Sequence, residues 1–261
     1  MNKRQLNRYF PIFVLPTFVA FCIGFIYPFL HGIYLSFCTF KTTSDAKFVG
    51  ISNYIKAFAD PGFLHAFWFT ALFTVVSVIA INVLAFLVAY VLTSGIRGAN
   101  AFRTVFFMPN LIGGVILGYI WQLIFNGIGY MMIIYISGLN SIPDSLYEAA
   151  RVDGATRGQI LRRITLPMMM PSITICTFLT LTNSFKLFDQ NLALPAGEPG
   201  IQSAGNTIYS TEMLALNIYN TFYQNANTRG VGQAKAVIFF LLVAVIALAQ
   251  LYATRRKEVQ Q

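Results

Sequence analysis

The residues with the most chemical potential lie between Ser141 and Pro171, where Glu148, Arg151, Asp153, Arg157, Arg162 and Arg163 crowd into an otherwise apolar chain. They do not make a catalytic set. What they offer is a surface. Glu148 stands one helical turn from Arg151 and gives the segment a charged handle, while Ala149 and Ala150 keep it narrow enough to enter a groove on another protein. An ordinary connecting helix on the membrane surface fits the same residues, so two readings stay open on residue types alone.

The local signals explain how such a surface would be held. Ser141 with Asp144 resembles a capping box with Pro143 in the first turn, so a helix is predicted to start there. Gly154 breaks it. Thr156 with Gln159 offers a second capping box, and Pro167 marks entry to the next apolar run. The result is two short helices at an angle, too short and too charged to cross a membrane.

Other chemistry is excluded by what the sequence lacks. There is no G-x-x-x-x-G-K-[ST], so ATP binding by that motif is ruled out, and there is no H-E-x-x-H. The two histidines, His31 and His65, are far apart and sit near span ends, so no metal site is expected. Cys22, Cys38 and Cys176 show no C-x-x-C spacing, and Cys22 and Cys176 fall in apolar runs as buried filler.

These residues must be positioned by membrane helices. Apolar residues make up 56% of the chain and charged residues 10%, against about 25% charged in a soluble protein. So few charges cannot cover a globular surface, and much of that surface must face lipid. The net charge of +9 then reads as the Lys/Arg excess of cytoplasmic loops rather than as a nucleic-acid footprint. The first apolar run is too long for a signal-peptide core and has no small-residue cleavage site behind it, so it is expected to be a retained helix.

A hydrocarbon core of about 30 Å needs ~20 residues of helix, and five uncharged stretches meet or approach that length. The interval between Arg103 and Asp144 holds 40 residues, which as one helix would extend about 60 Å. Asn126, Gly127 and Gly129 supply turn residues in its middle, so a hairpin of two spans is expected there. Charge supports the hairpin. With six spans, Lys3, Arg4, Arg8, Arg97, Arg103, Arg151, Arg157, Arg162, Arg163, Arg255, Arg256 and Lys257 all fall on one face, twelve of the 18 basic residues. The expected fold is all-α, with spans at 10–37, 67–93, 104–125, 128–142, 167–187 and 236–254. The loop 143–166 and both termini are cytoplasmic, and the loop 188–235 is external. The fourth span, at 15 residues from Ile128 to Ile142, is short for a crossing. Either the join at Asn126 is a tight turn or residues are missing there. Asn82 is the clearest polar group at mid-membrane, fitting an interhelical hydrogen bond or a lining of a transport path.

The series Glu148-Ala149-Ala150, Asp153-Gly154-Ala155 and Ile164-Thr165-Leu166-Pro167 resembles the EAA loop of binding-protein-dependent ABC importer permeases. Tyr27-Pro28, Phe48-Val49-Gly50, Asn53-Tyr54 and Phe185-Lys186-Leu187-Phe188-Asp189 resemble the sugar branch, of the maltose and glycerol-phosphate type. The resemblance covers nearly the whole chain. It implies the ABC importer permease fold and a non-catalytic subunit forming half of a solute path, in the bacterial plasma membrane. Glu148, Ala149, Ala150, Asp153, Gly154 and Pro167 would couple it to two cytoplasmic ATPase subunits, which hydrolyse ATP, so the chain itself binds no cofactor. A second permease subunit, an extracytoplasmic solute-binding protein and a sugar complete the implied assembly. Thr180, Asn183, Ser184, Leu187 and Asn82 are the expected substrate path. An ion-coupled transporter is the alternative, but it would place acidic or basic residues inside the spans.

Overall fold

The computed structural model describes residues 14–94, 98–104, 116–193, 199–203 and 206–255. Lys3, Arg4, Arg8, Arg97, Arg256, Lys257 and positions 105–115 of the third expected span lie outside the described residues.

Among the described residues three helices are long and apolar enough to cross a membrane: α1 (Val14–Ser36), α3 (Pro61–Thr93) and the stretch Ala226–Thr254, most of which is α10 (Arg229–Arg255). Their large exposed side chains are mostly Phe, Ile, Leu and Val, with Trp68 and several tyrosines, as lipid contact demands. The 33 residues of α3 rise about 50 Å, more than a hydrocarbon core of about 30 Å requires. It begins six residues before the expected second span because Pro61 is suited to a first helical position and Asp60 Oδ1 accepts the Gly62 N–H at 2.9 Å. Between α1 and α3 lie a two-residue ribbon, β1 (Cys38–Thr39) with antiparallel β2 (Lys47–Phe48), and a short helix, α2 (Ser52–Ala59).

The expected hairpin at Asn126–Gly129 is absent. One helix, α4 (Ile116–Asn140), runs through those residues without a break, so the described part of the span drawn at 104–125 continues into the one drawn at 128–142. An interior glycine costs a helix only about 1 kcal/mol, and packing repays it: a β-carbon on Gly127 would sit 3.1 Å from the Ile81 side chain. The rest of the chain holds α5 (Asp144–Val152), α6 (Arg157–Met168), α7 (Met170–Phe185) and α8 (Asp189–Ala193). An antiparallel hairpin follows, β3 (Gly200–Ser203) with β4 (Asn206–Tyr209), then α9 (Leu214–Tyr223) and α10. The expected short helix after the outer loop is α9. The hairpin before it was not foreseen.

The chain divides into two compact units. The first comprises Met1–His65, Gly200–Ser210 and Leu216–Leu241. Its centre is polar. Lys235, 1% exposed, donates from Nζ to Asp60 Oδ2 at 2.6 Å, Asn217 Oδ1 at 2.9 Å and Thr221 Oγ1 at 2.7 Å, and lies 5.2 Å from the Phe63 ring centroid. A charge survives burial only when paired and hydrogen-bonded in this way. Gly230 backs directly onto the Cys38 carbonyl and the Asn53 amide, an approach no side chain would permit.

The second unit comprises Ala66–Pro199, Thr211–Ala215 and Leu242–Gln261. Ala85 and Ala89 of α3, Met131, Met132, Tyr135 and Ile136 of α4, and Met169 with Cys176 form its core. Asn191 ties the outer loop down by donating to Thr211 O and accepting from Met213 N, each at 2.7 Å.

The buried ion pair is asymmetric, because the Asp60 side chain keeps 38% exposure against 1% for Lys235. Asp60→Asn strands a buried ammonium and should cost about 3–5 kcal/mol. Lys235→Met leaves a carboxylate that can reach water and should cost much less. Thermal unfolding of the detergent-solubilised protein reads the difference; equal losses would mean the pair contributes only packing.

Candidate functional site

The segment 141–167 forms two short helices separated at Gly154. α5 begins at Asp144, but its start is made differently from the expected capping box. Pro143 is the N-cap residue, in extended conformation, with no side-chain cap. Ser141 instead donates from Oγ to Gly138 O at 2.7 Å, closing the end of α4. The second box is present: Thr156 N donates to Gln159 Oε1 at 2.8 Å, and Gln159 N donates back to Thr156 Oγ1 at 3.4 Å.

The break at Gly154 is a Schellman turn. Gly154 N donates to Arg151 O at 3.1 Å and Ala155 N to Ala150 O at 2.9 Å, the paired bonds that satisfy the last carbonyls of a helix. Gly154 has φ +75°, a left-handed conformation that costs other residues roughly 1–2 kcal/mol. A β-carbon there would touch nothing within 4 Å, so conformation, not space, demands the glycine.

α5 touches the rest of its unit mainly through Tyr147, which packs on the core and whose hydroxyl lies 3.4 Å from Oγ1 of buried Thr165. Glu148, Ala149, Arg151, Asp153 and Gly154 are exposed, and Ala150 is half-buried. Among the described residues Glu148 and Arg151 form no ion pair with each other or with any other group. Sequence reasoning missed Val152, which is 88% exposed at the end of this helix. Its signal was available: an isolated valine in a charged helix has no core to join.

Pro167, half-buried, sits where the chain turns inward. A wide π turn over Leu161–Thr165 precedes it, and α6 and α7 meet at Met169 with a bend of 67°. Pro167 and Pro171 each lack the N–H that would continue the ladder, which is a standard cause of such a kink. The expected fifth span at 167–187 is therefore α7 preceded by a bent turn.

The other expected residues lie on α3 and α7. Tyr135 OH donates to Asn82 Oδ1 at 2.7 Å, and Asn82 Nδ2 donates to Thr180 Oγ1 at 3.2 Å and to Val78 O at 2.8 Å. Thr180 in turn donates to Cys176 O at 2.7 Å. Asn82 is thus the interhelical hydrogen bond that one of its two readings called for, joining α3, α4 and α7. Tyr135 was not singled out from the sequence, since a tyrosine in an apolar run carries no sign of its partner. Thr180 and Ser184 share the buried face of α7, Asn183 is exposed, and Leu187 is half-buried just beyond the helix end. Asn183 and Ser184 therefore do not face the same way. Among the described residues no group of three or more His, Cys, Asp or Glu side chains is placed to hold a metal ion.

The comparisons with known proteins agree with this geometry. Residues 99–259 match the family described as binding-protein-dependent transport system inner membrane component. The probable starch degradation products transport system permease protein AmyD of Thermoanaerobacterium thermosulfurigenes is 39% identical over 95% of this chain and 94% of its own. The multiple sugar-binding transport system permease protein MsmF of Streptococcus mutans is 27% identical over 98% of this chain and 99% of its own. Among solved structures, a chain of a bacterial ABC transporter involved in the import of the acidic polysaccharide alginate has the same fold, with a TM-score of 0.75 and 20% identity, covering 97% of this chain and 98% of that one. The alignment with the starch-product relative runs over 285 residues, more than the 261 of this chain. It takes in nearly all of both chains, so that relative carries internal residues with no counterpart here. An exposed, glycine-terminated helix on a bundle of apolar helices, and a family match over most of the length, lead to one conclusion: this chain belongs to the inner membrane components of binding-protein-dependent transport systems.

Proposed function

We propose that this permease forms half of the path of an ATP-driven importer for a sugar or oligosaccharide, with α5 docking in a cleft of a cytoplasmic ATPase. The observation that carries this reading is the Schellman turn at Gly154, which presents Glu148, Ala149 and Val152 as an exposed face. Relatives named for starch degradation products and for multiple sugars support a carbohydrate. Two ATPase subunits, a second permease and an external binding protein complete the assembly. One solved relative is described with an alginate pentasaccharide-bound periplasmic protein, which supports the last of these. Asn183, exposed near the end of α7, is the side chain of the expected path that is free to meet a solute; Asn82, Thr180 and Ser184 shape the helix behind it.

Sidedness rests on charge. Arg151, Arg157, Arg162 and Arg163 put α5 in the cytoplasm, and the tail beyond α10 shares that face through two further crossings. The Asp60–Lys235 ion pair supports the same face for the amino terminus. Asp60 lies between α1 and α3 and Lys235 near the start of α10, so the connection between α1 and α3 shares the external side of the loop 188–235, and α1 returns the amino terminus to the side of α5, as the six-span reading had it. Single cysteines in sealed vesicles test this. One beside Arg157 and one beside Arg97 should both react only from the inside. Reaction of the Arg157 site from outside would overturn the placing of α5, and outside reaction of the Arg97 site would overturn that of the amino-terminal helices.

Coupling has its own signature. Gly154→Val should weaken ATPase binding, because the helix loses the turn that aims it. Glu148→Ala should leave an assembled but poorly coupled complex: an exposed ion pair is worth about 0–1 kcal/mol, whereas one desolvated in a cleft costs several when a partner is removed. Pull-down of the ATPase with vesicle uptake separates the two, and wild-type transport by both variants would reduce the loop to a connector. Asn183→Leu should impair uptake while sparing basal ATP hydrolysis; unchanged uptake would remove Asn183 from the path.

A further inference from the structure

The first unit carries an apolar stripe that no part of the described chain covers. Ile51, at the N-cap of α2, and Ile55 and Phe58 within it are spaced one helical turn apart and are 65%, 62% and 56% exposed. The opposite side of α2 is fully used. Asn53 and Ala57 are buried, and Asn53 Nδ2 donates to Ser36 O and Cys38 O, each at 2.9 Å, while the Tyr54 and Ser36 hydroxyls meet at 2.7 Å. The helix is thereby pinned against carbonyls at and just beyond the end of α1, where unpaired acceptors must find donors.

Three observations identify what lies against the stripe. The first is depth. α1 ends at Ser36, and α3 opens at Pro61 directly after the α2 cap residue Asp60, so α2 bridges the ends of two membrane-crossing helices at one face. The second is continuity: Phe37 stacks on exposed Phe48 at 6.5 Å and meets Tyr54 at 5.2 Å, carrying the exposed apolar surface of α1 onto the helix. The third is charge. Lys47 and Lys56 are exposed beside the stripe, and no acidic residue lies on it.

We infer that α2 is an interfacial helix, its Ile51, Ile55 and Phe58 stripe seated at the boundary of headgroups and acyl chains, with Lys47 and Lys56 among lipid phosphates. A polar face with lysines, an apolar face with large side chains and a position at the membrane surface are the features of such helices. Its role is to hold the α1–α3 connection at a defined depth, so that the buried Lys235 cluster beside it sits just outside the hydrocarbon. This reading does not depend on the identity of the solute or on the ATPase.

Spin-label accessibility decides it. The full chain carries Cys22→Ser, since Cys38 and Cys176 are buried, and one nitroxide at Ile55→Cys, Phe58→Cys or Lys56→Cys. It is reconstituted in vesicles of phosphatidylethanolamine and phosphatidylglycerol. Labels at 55 and 58 should show an oxygen-to-nickel-chelate collision ratio several-fold above that at 56. Equal ratios at all three positions would mean the stripe faces water, and exclusion of both probes at 55 and 58 would mean another protein surface covers it. Either result overturns the inference.

Discussion

Inside a bilayer a backbone N–H or C=O has no water to turn to, so any segment that enters must satisfy itself. That constraint shapes nearly every element here. The apolar runs become helices because only a helix pairs all its own backbone groups, and their lipid-facing sides are Phe, Ile, Leu and Val because nothing polar there would find a partner. Two buried side chains follow the same rule. The Asn82 amide spends its donors on Val78 and Thr180 and accepts from Tyr135, and the ammonium of Lys235 is fully surrounded by Asp60, Asn217 and Thr221.

The exceptions to that rule cluster in the segment proposed to dock on a partner. α5 ends its hydrogen-bond ladder in a turn that glycine alone adopts without strain, and it leaves charged and apolar groups facing out. Pro167 and Pro171 interrupt the ladder where α6 bends into α7. A movement imposed on α5 has a short covalent route to the membrane: through the capped start of α6, across the kink, and into the helix that carries Asn183. Tyr147 adds a second contact, from α5 to Thr165 at the base of that route. The geometry suits a part that receives force at one end and displaces a helix at the other.

The continuous helix α4 makes a related point about topology. Asn126, Gly127 and Gly129 have the composition of a turn, but composition is a local preference of about 1 kcal/mol per glycine. Continuous helical pairing and contact with Ile81 outweigh it.

Much could be read from the sequence because membrane class, most apolar helices and the exposed loop around Gly154 are decided locally. Twenty uncharged residues in a row can only be a buried or spanning helix, Thr156 with Gln159 is a cap wherever it stands, and Glu148 through Pro167 carries its spacing on its face. Gly154 is legible for the same reason, since one residue's φ ends the helix. What the sequence could not decide was which distant groups meet. Nothing in Asp60 points to Lys235, 175 positions on, and nothing in Asn82 points to Tyr135. The division of Asn183 and Ser184 between exposed and buried faces depends on how α7 is rotated against its neighbours. Those outcomes belong to packing, where each side chain's partner is chosen by the shape and hydrogen-bonding needs of elements far away in the chain.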